Sequence, residues 1–91
     1  MTNLEQQIYD KLIDRLKIKP EDIEGTDENS PLFEGASNGE PSFNLDSLDS
    51  LELIFLIENE FGFEVPTEDM SKFRTIKAVA EYVTERLREG K

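Results

Sequence analysis

Residues 44–66 read NLDSLDSLELIFLIENEFGFEVP, and the fold of the chain turns on how this stretch is placed. Asp46 and Ser47 are favoured helix N-caps, because a side-chain oxygen accepts from the free backbone N–H groups of a first turn. Gly62 supplies a stop. The stretch therefore predicts a helix over 47–60, capped by Asp46 or Ser47. At about 100° per residue, Leu53, Ile54, Ile57 and Phe61 gather on one side and face a core. Leu48, Leu51, Glu52, Phe55 and Asn59 gather on the other, with Asp49 and Glu58 on its flanks. A helix with apolar residues on both sides is either buried all round or keeps one side for a partner. Carboxylates around the second side exclude deep burial, so it is read as a partner-facing surface.

Upstream, Leu4, Ile8, Leu12 and Leu16 recur every four residues, with Tyr9 and Ile13 on the flank, which predicts an amphipathic helix over 3–17. Ile18-Lys19-Pro20 ends it. Residues 20–46 lack sustained periodicity and hold Gly25, Pro31, Gly35, Gly39 and Pro41 among polar residues, the mark of a long loop. Leu32, Phe33 and Phe43 are expected to pin that loop to the core, leaving a mobile tip between Phe33 and Pro41. Downstream, Thr67 to about Ser71 predicts one short helical turn. Thr75 then caps a last helix in which Ile76, Val79, Ala80, Val83 and Leu87 follow the helical period. The expected fold is all-α, a small bundle of three main helices and one short one with a long first loop. It occupies residues 1–91 as a single domain.

A domain of 91 residues buries only about 60–65% of the surface of its unfolded chain, so its core is thin. The chain has no Cys, which fits a reducing, cytoplasmic setting. No apolar run approaches the roughly 20 residues that cross a bilayer, and no basic region followed by an apolar one opens the chain. The net charge of −11 is unevenly placed: residues 20–71 hold fifteen Asp and Glu and no Lys or Arg. Such a field repels nucleic acid and anionic lipid and favours basic protein surfaces.

Catalytic chemistry finds little support. There is no His, no Cys, no Gly-rich phosphate loop followed by Lys and no obvious activated nucleophile, so an enzyme is not expected. No dedicated metal site is expected either, because the residues around Asp46 and Asp49 lack the ligand alternation and central Gly of a calcium loop. Free phosphate at the helix start gains about 0.3–1 kcal/mol from the helix dipole, which Asp46 and Asp49 oppose by a comparable amount. Covalent attachment to the Ser47 hydroxyl escapes that objection. Ser50, the competing hydroxyl, points toward the core side and is assigned to packing or backbone bonding.

The spacing of Asp46-Ser47-Leu48, Glu52-Leu53 and Phe61-Gly62-Phe63-Glu64-Val65-Pro66 resembles the acyl carrier protein family. Residues 44–83 lie on the family pattern without a gap, and residues 3–18 match its first helix more loosely. The first loop departs from the commonest pattern by an extension around Phe33 to Glu40. The resemblance implies that a magnesium-dependent transferase moves phosphopantetheine from coenzyme A to Ser47, whose arm then carries acyl groups as thioesters. It implies a recognition face of Asp46, Leu48, Asp49, Glu52, Phe55 and Glu58, and an acyl pocket among Leu53, Ile57, Phe61, Val65, Met70, Phe73 and Val79. The implied partners are a phosphopantetheinyl transferase and acyl-loading and acyl-processing enzymes with basic docking surfaces, in fatty-acid, lipid or polyketide-type biosynthesis. A monomer is expected, without nucleic acid or stable membrane association. A peptidyl, aryl or alanyl carrier, or an unmodified acidic interaction module, are the alternatives.

Overall fold

Thr2 starts the first helix through a reciprocal pair of bonds in the computed structural model, which describes residues 1–33 and 41–89. Its Oγ1 accepts from the Glu5 N–H at 3.1 Å, and its own N–H donates to Glu5 Oε1 at 2.8 Å. This capping box satisfies two of the N–H groups that a helix start leaves free. Helix α1 runs Asn3–Leu16 and stops one residue short of the expected end, because Lys17 takes a left-handed conformation with φ 54° and its N–H bonds back to the Ile13 carbonyl. Ile8 and Leu12 are fully buried, and Leu4 and Leu16 pack partly against the core at either end.

Helix α2 spans Ser47–Phe61 and helix α3 spans Ile76–Glu89. Short 3-10 turns at Pro20–Ile23 and Thr67–Lys72 complete an all-α bundle, the latter where a single helical turn was expected. Gly62 ends α2 with φ 78°, a left-handed position that glycine adopts without steric cost. Thr75 precedes α3, and its Oγ1 accepts from the Ala78 N–H at 3.0 Å. α1 packs against both other helices. The core between them holds Ile8, Leu12, Leu53, Ile57, Ile76, Val79 and Val83.

Two residues depart from the periodic reading of α3. Leu87 lies on the predicted stripe yet is 41% exposed, because a stripe is buried only where another element faces it. Tyr82 lies off the stripe yet is buried. Its ring meets Phe73 edge-on at 5.0 Å, and its hydroxyl donates to Asp69 Oδ2 at 2.6 Å while accepting from Arg86 Nη1 at 2.9 Å. The Arg86 guanidinium in turn sits over the Phe63 ring at 4.7 Å. These contacts tie the Thr67–Lys72 turn to α3.

The long loop is stitched to the bundle by backbone bonds as well as by its apolar residues. Leu32 N–H donates to the Arg74 carbonyl (2.9 Å) and Lys77 N–H to the Glu28 carbonyl (3.0 Å), while within the loop Leu45 N–H donates to the Leu32 carbonyl (2.9 Å). Leu32, Phe43 and Leu45 are buried, Phe33 is half-buried, and an isolated parallel bridge joins Phe33 to Leu45. Tyr9 meets Phe43 edge-on at 6.0 Å. The expected anchoring at Leu32, Phe33 and Phe43 is therefore present. The expected mobile tip falls on residues 34–40, outside the described ones.

The face assignments are checked by two leucines on helices. Leu12→Ala should lower the unfolding free energy by about 2–5 kcal/mol, since it leaves a cavity in a packed core. Leu48→Ala, at a site 72% exposed, should change it by no more than about 0.5 kcal/mol in denaturant titrations. Tyr82 gives a pH test. Burial, and then the bond to Asp69, push its phenol above the ordinary 10.0 against the opposing Arg86. A phenol whose folded pKa is raised contributes stability that is complete below the unfolded value and lost as pH rises toward the folded one. Thermal stability should thus decline above pH 10.0, with a shallower decline in Tyr82→Phe.

Candidate functional site

Asp46, with its extended backbone, is the residue that caps α2. Its Oδ1 accepts from the Asp49 N–H at 2.9 Å, while its own N–H donates to Asp49 Oδ2 at 3.1 Å. Capping thus falls to the two aspartates, and Ser47 stands at the first helical position, exposed, with its side chain free of that duty. The next hydroxyl is used differently. Ser50 is only 7% exposed, and its Oγ donates to the Ser47 carbonyl at 2.6 Å. The cap fixes the backbone before Ser47 and this bond fixes it after, so the exposed hydroxyl sits on a rigid support.

Beside Ser47 opens a shallow cleft of about 510 Å³. Phe33 and Leu45 from the loop, Asp46 and Ser50 from the start of α2, and Met70 and Ser71 from the 3-10 turn border it with Ser47. The bond from Tyr82 to Asp69 holds that turn, and with it the Met70 wall, in place. Ser47 thus presents an exposed hydroxyl with a groove of mixed polarity beside it.

The six residues expected to form a recognition face are all surface-accessible, but they are held in different ways. Leu48 (72%) and Phe55 (48%) are exposed, as is Leu51 (39%), giving an apolar stripe along α2. Asp46 and Asp49 bind each other's backbone. Glu52 Oε2 accepts from Arg15 Nε of α1 at 2.7 Å. Glu58 Oε2 accepts from the N–H of buried Val65 at 2.8 Å, tying the end of α2 to the chain that leaves it. This last role has no periodic signature, and neither has the cross-helix bond to Arg15. Opposite the stripe, Leu53, Ile54, Leu56 and Ile57 are buried, Leu56 having been left unassigned by the sequence.

The expected acyl-pocket residues differ in burial. Leu53, Ile57, Val65, Phe73 and Val79 are packed into the core, whereas Phe61 and Met70 are half-buried. Of the seven, Met70 borders the cleft at Ser47. Among the described residues no group of His, Cys, Asp and Glu is arranged to hold a metal ion, and no helix is long and apolar enough to cross a membrane.

Residues 41–83 match the family model described as "Phosphopantetheine attachment site". The chain is 34% identical over 84 residues to the acyl carrier protein of Chlamydia muridarum, covering 92% of this chain and 96% of that one. This chain belongs to the acyl carrier protein family. The Chlamydia trachomatis serovar D acyl carrier protein is 33% identical over the same shares of both chains. A solution structure assigned as an acyl carrier protein from Anaplasma phagocytophilum superposes with a TM-score of 0.73 at 27% identity, over 93% of this chain and 89% of the other. Acyl carrier proteins are carriers rather than enzymes, and they act through a covalently attached phosphopantetheine group. The thiol of that group supplies the chemistry, holding acyl groups as thioesters. A phosphopantetheinyl transferase and biosynthetic enzymes are the partners of such a carrier.

Glu58 allows a structural contribution to be separated from a recognition one. Glu58→Ala leaves the Val65 N–H without its acceptor and should cost about 1–3 kcal/mol of stability. Glu58→Gln keeps a side-chain oxygen in reach of that N–H and should cost less in the same denaturant titrations. Equal losses would remove Glu58 from this structural role.

Proposed function

We propose that Ser47 is the serine that receives phosphopantetheine, and that the exposed side of α2 is where partner enzymes dock. The observation that carries this reading is the division of labour at the start of α2. Asp46 and Asp49 take the capping bonds, Ser50 turns its hydroxyl onto the Ser47 carbonyl, and Ser47 alone of these presents an unburdened hydroxyl to solvent. In the transfer, Ser47 Oγ attacks the phosphorus of coenzyme A that bears the pantetheine arm. A new O–P bond forms, the P–O bond to the adenosine bisphosphate breaks, and the serine proton passes to a base of the transferase.

The docking surface combines the apolar stripe of Leu48, Leu51 and Phe55 with Asp46, Asp49, Glu52 and Glu58. Its carboxylates steer a basic partner toward Ser47, and the stripe is covered on contact. The same face then serves acyl-loading and acyl-processing enzymes of fatty-acid or related lipid biosynthesis, with the chain acting as a cytoplasmic monomer. For the acyl group, Phe33, Leu45 and Met70 are the apolar residues that border the cleft. A chain reaching Leu53, Ile57, Val65, Phe73 or Val79 displaces core side chains, so long acyl chains require the bundle to part between α2 and α3.

Intact-mass measurement after incubation with coenzyme A and a broad-specificity transferase tests the attachment point. Wild type and Ser50→Ala should gain one phosphopantetheine, and Ser47→Ala should gain none while keeping its helical circular dichroism. Retention of the mass gain in Ser47→Ala contradicts the assignment.

A further inference from the structure

Glu52 differs from the other acidic residues of the α2 face in what holds it. Asp46 and Asp49 serve the cap, and Glu58 accepts from a backbone N–H. Among the described residues, Glu52 is the one carboxylate of that face paired with a cation of the same chain. The cation comes from α1, thirty-seven residues away, with Arg15 Nε 2.7 Å from Glu52 Oε2. One turn earlier on α1, Lys11 Nζ lies 3.5 Å from Glu60 Oε1. The flank of α1 thus reaches across the seam twice, over buried Leu56, and only the Arg15 arm ends on a residue of the proposed docking face.

We propose that Arg15 is an intramolecular competitor for partner enzymes. It occupies Glu52 in the free protein, and a docking enzyme's own cation must displace or share it. The inference rests on the reading of Glu52 as a docking residue. Side-chain exposures of 33% for Arg15 and 45% for Glu52 keep the pair in contact with water, so the bond opens and closes without disturbing the core. An exposed pair of this kind favours its closed form over its open form by a factor of roughly one to five, and the apparent affinity of a partner that needs the open form is its intrinsic affinity multiplied by the fraction of molecules that are open. Arg15 grips one oxygen of Glu52 through Nε. A partner arginine that bonds both oxygens with its fork displaces that grip, whereas a lysine offers a single point charge to a pair already near neutral. Arg15 therefore discriminates in favour of arginine-bearing docking surfaces.

Loading kinetics with coenzyme A and a phosphopantetheinyl transferase test this on the intact chain. Arg15→Gln should raise kcat/KM about two- to sixfold at low salt, entirely through a lower KM, with kcat unchanged. Arg15→Met, which preserves the apolar stem over the seam, should give the same gain, so that lost packing is not mistaken for the effect. The gain should disappear at high salt and in a Glu52→Gln background. Lys11→Gln removes an equal charge and the neighbouring cross-helix pair without freeing Glu52, and it should give no comparable gain. Wild-type or slower loading by Arg15→Gln and Arg15→Met, or an equal gain from Lys11→Gln, overturns the proposal. If Glu52→Gln alone slows loading while both Arg15 variants behave as wild type, the docking face stands and the competition fails. If Glu52→Gln has no effect in either background, Glu52 leaves the docking face and the competition falls with it.

Discussion

Helix α2 holds the bundle together with one side and leaves apolar residues of the other exposed, and the rest of the structure is arranged around that constraint. Leu53 and Ile57 are fully buried and Ile54 and Leu56 nearly so, while Leu48, Leu51 and Phe55 stay in contact with solvent. The fold of a single chain gains nothing from such an exposed apolar stripe, and its carboxylate neighbours prevent its collapse into the core. Stability must therefore come from elsewhere. α1 and α3 supply Ile8, Leu12, Ile76, Val79 and Val83 to the buried side of α2, and the loop adds Leu32, Phe43 and Leu45.

The same economy governs the polar groups at the start of α2. A helix start needs acceptors for its free N–H groups, and a serine at the first position is an obvious candidate to supply one. Here the reciprocal bonds of Asp46 and Asp49 meet that need, which leaves Ser47 with an exposed hydroxyl on a backbone that cannot drift. Acidity beside Ser47 is thus both structural and electrostatic. The caps order the helix, and their charges add to those of the surrounding acidic segment, a field that disfavours free anions and, in the proposed reading, steers basic partners. The extended loop enters the same arrangement through Phe33 and Leu45, which border the cleft together with Met70 and Ser71.

Much of this was legible in the residues, and the limits follow the physics. Period-four leucines and isoleucines placed α1, and the stripe of α3 placed its buried face, because helical periodicity records which residues share a side. It does not record where a facing element ends, hence exposed Leu87, nor what an off-stripe residue touches, hence buried Tyr82. The bond from Leu32 to Arg74 joins two backbone groups, whose presence every sequence shares, and the Glu58 carboxylate accepts from the backbone N–H of Val65 seven residues on, so no residue pattern announces either. The pairing of Arg15 with Glu52 is a question of how two helices cross, which neither helix states alone. The family itself was legible through the spacing of Asp46-Ser47-Leu48, Glu52-Leu53 and Phe61 to Pro66, and the proposal for Ser47 rests on that spacing and on its exposed hydroxyl. Residues fit to line an acyl pocket are equally fit to fill a core, and five of the seven expected there are core residues.

The central claim is that one helix divides its two sides between core and partner. Amide and methyl chemical-shift mapping of the isotopically labelled protein, during titration with a phosphopantetheinyl transferase in the absence of coenzyme A, addresses it most directly. The account predicts that the largest changes fall on Ser47, Leu48, Leu51, Glu52 and Phe55, with Leu12, Leu53 and Val79 nearly still. Changes centred instead on the exposed side of α3, around Lys77, Glu81 and Arg88, with the α2 stripe undisturbed, would contradict it.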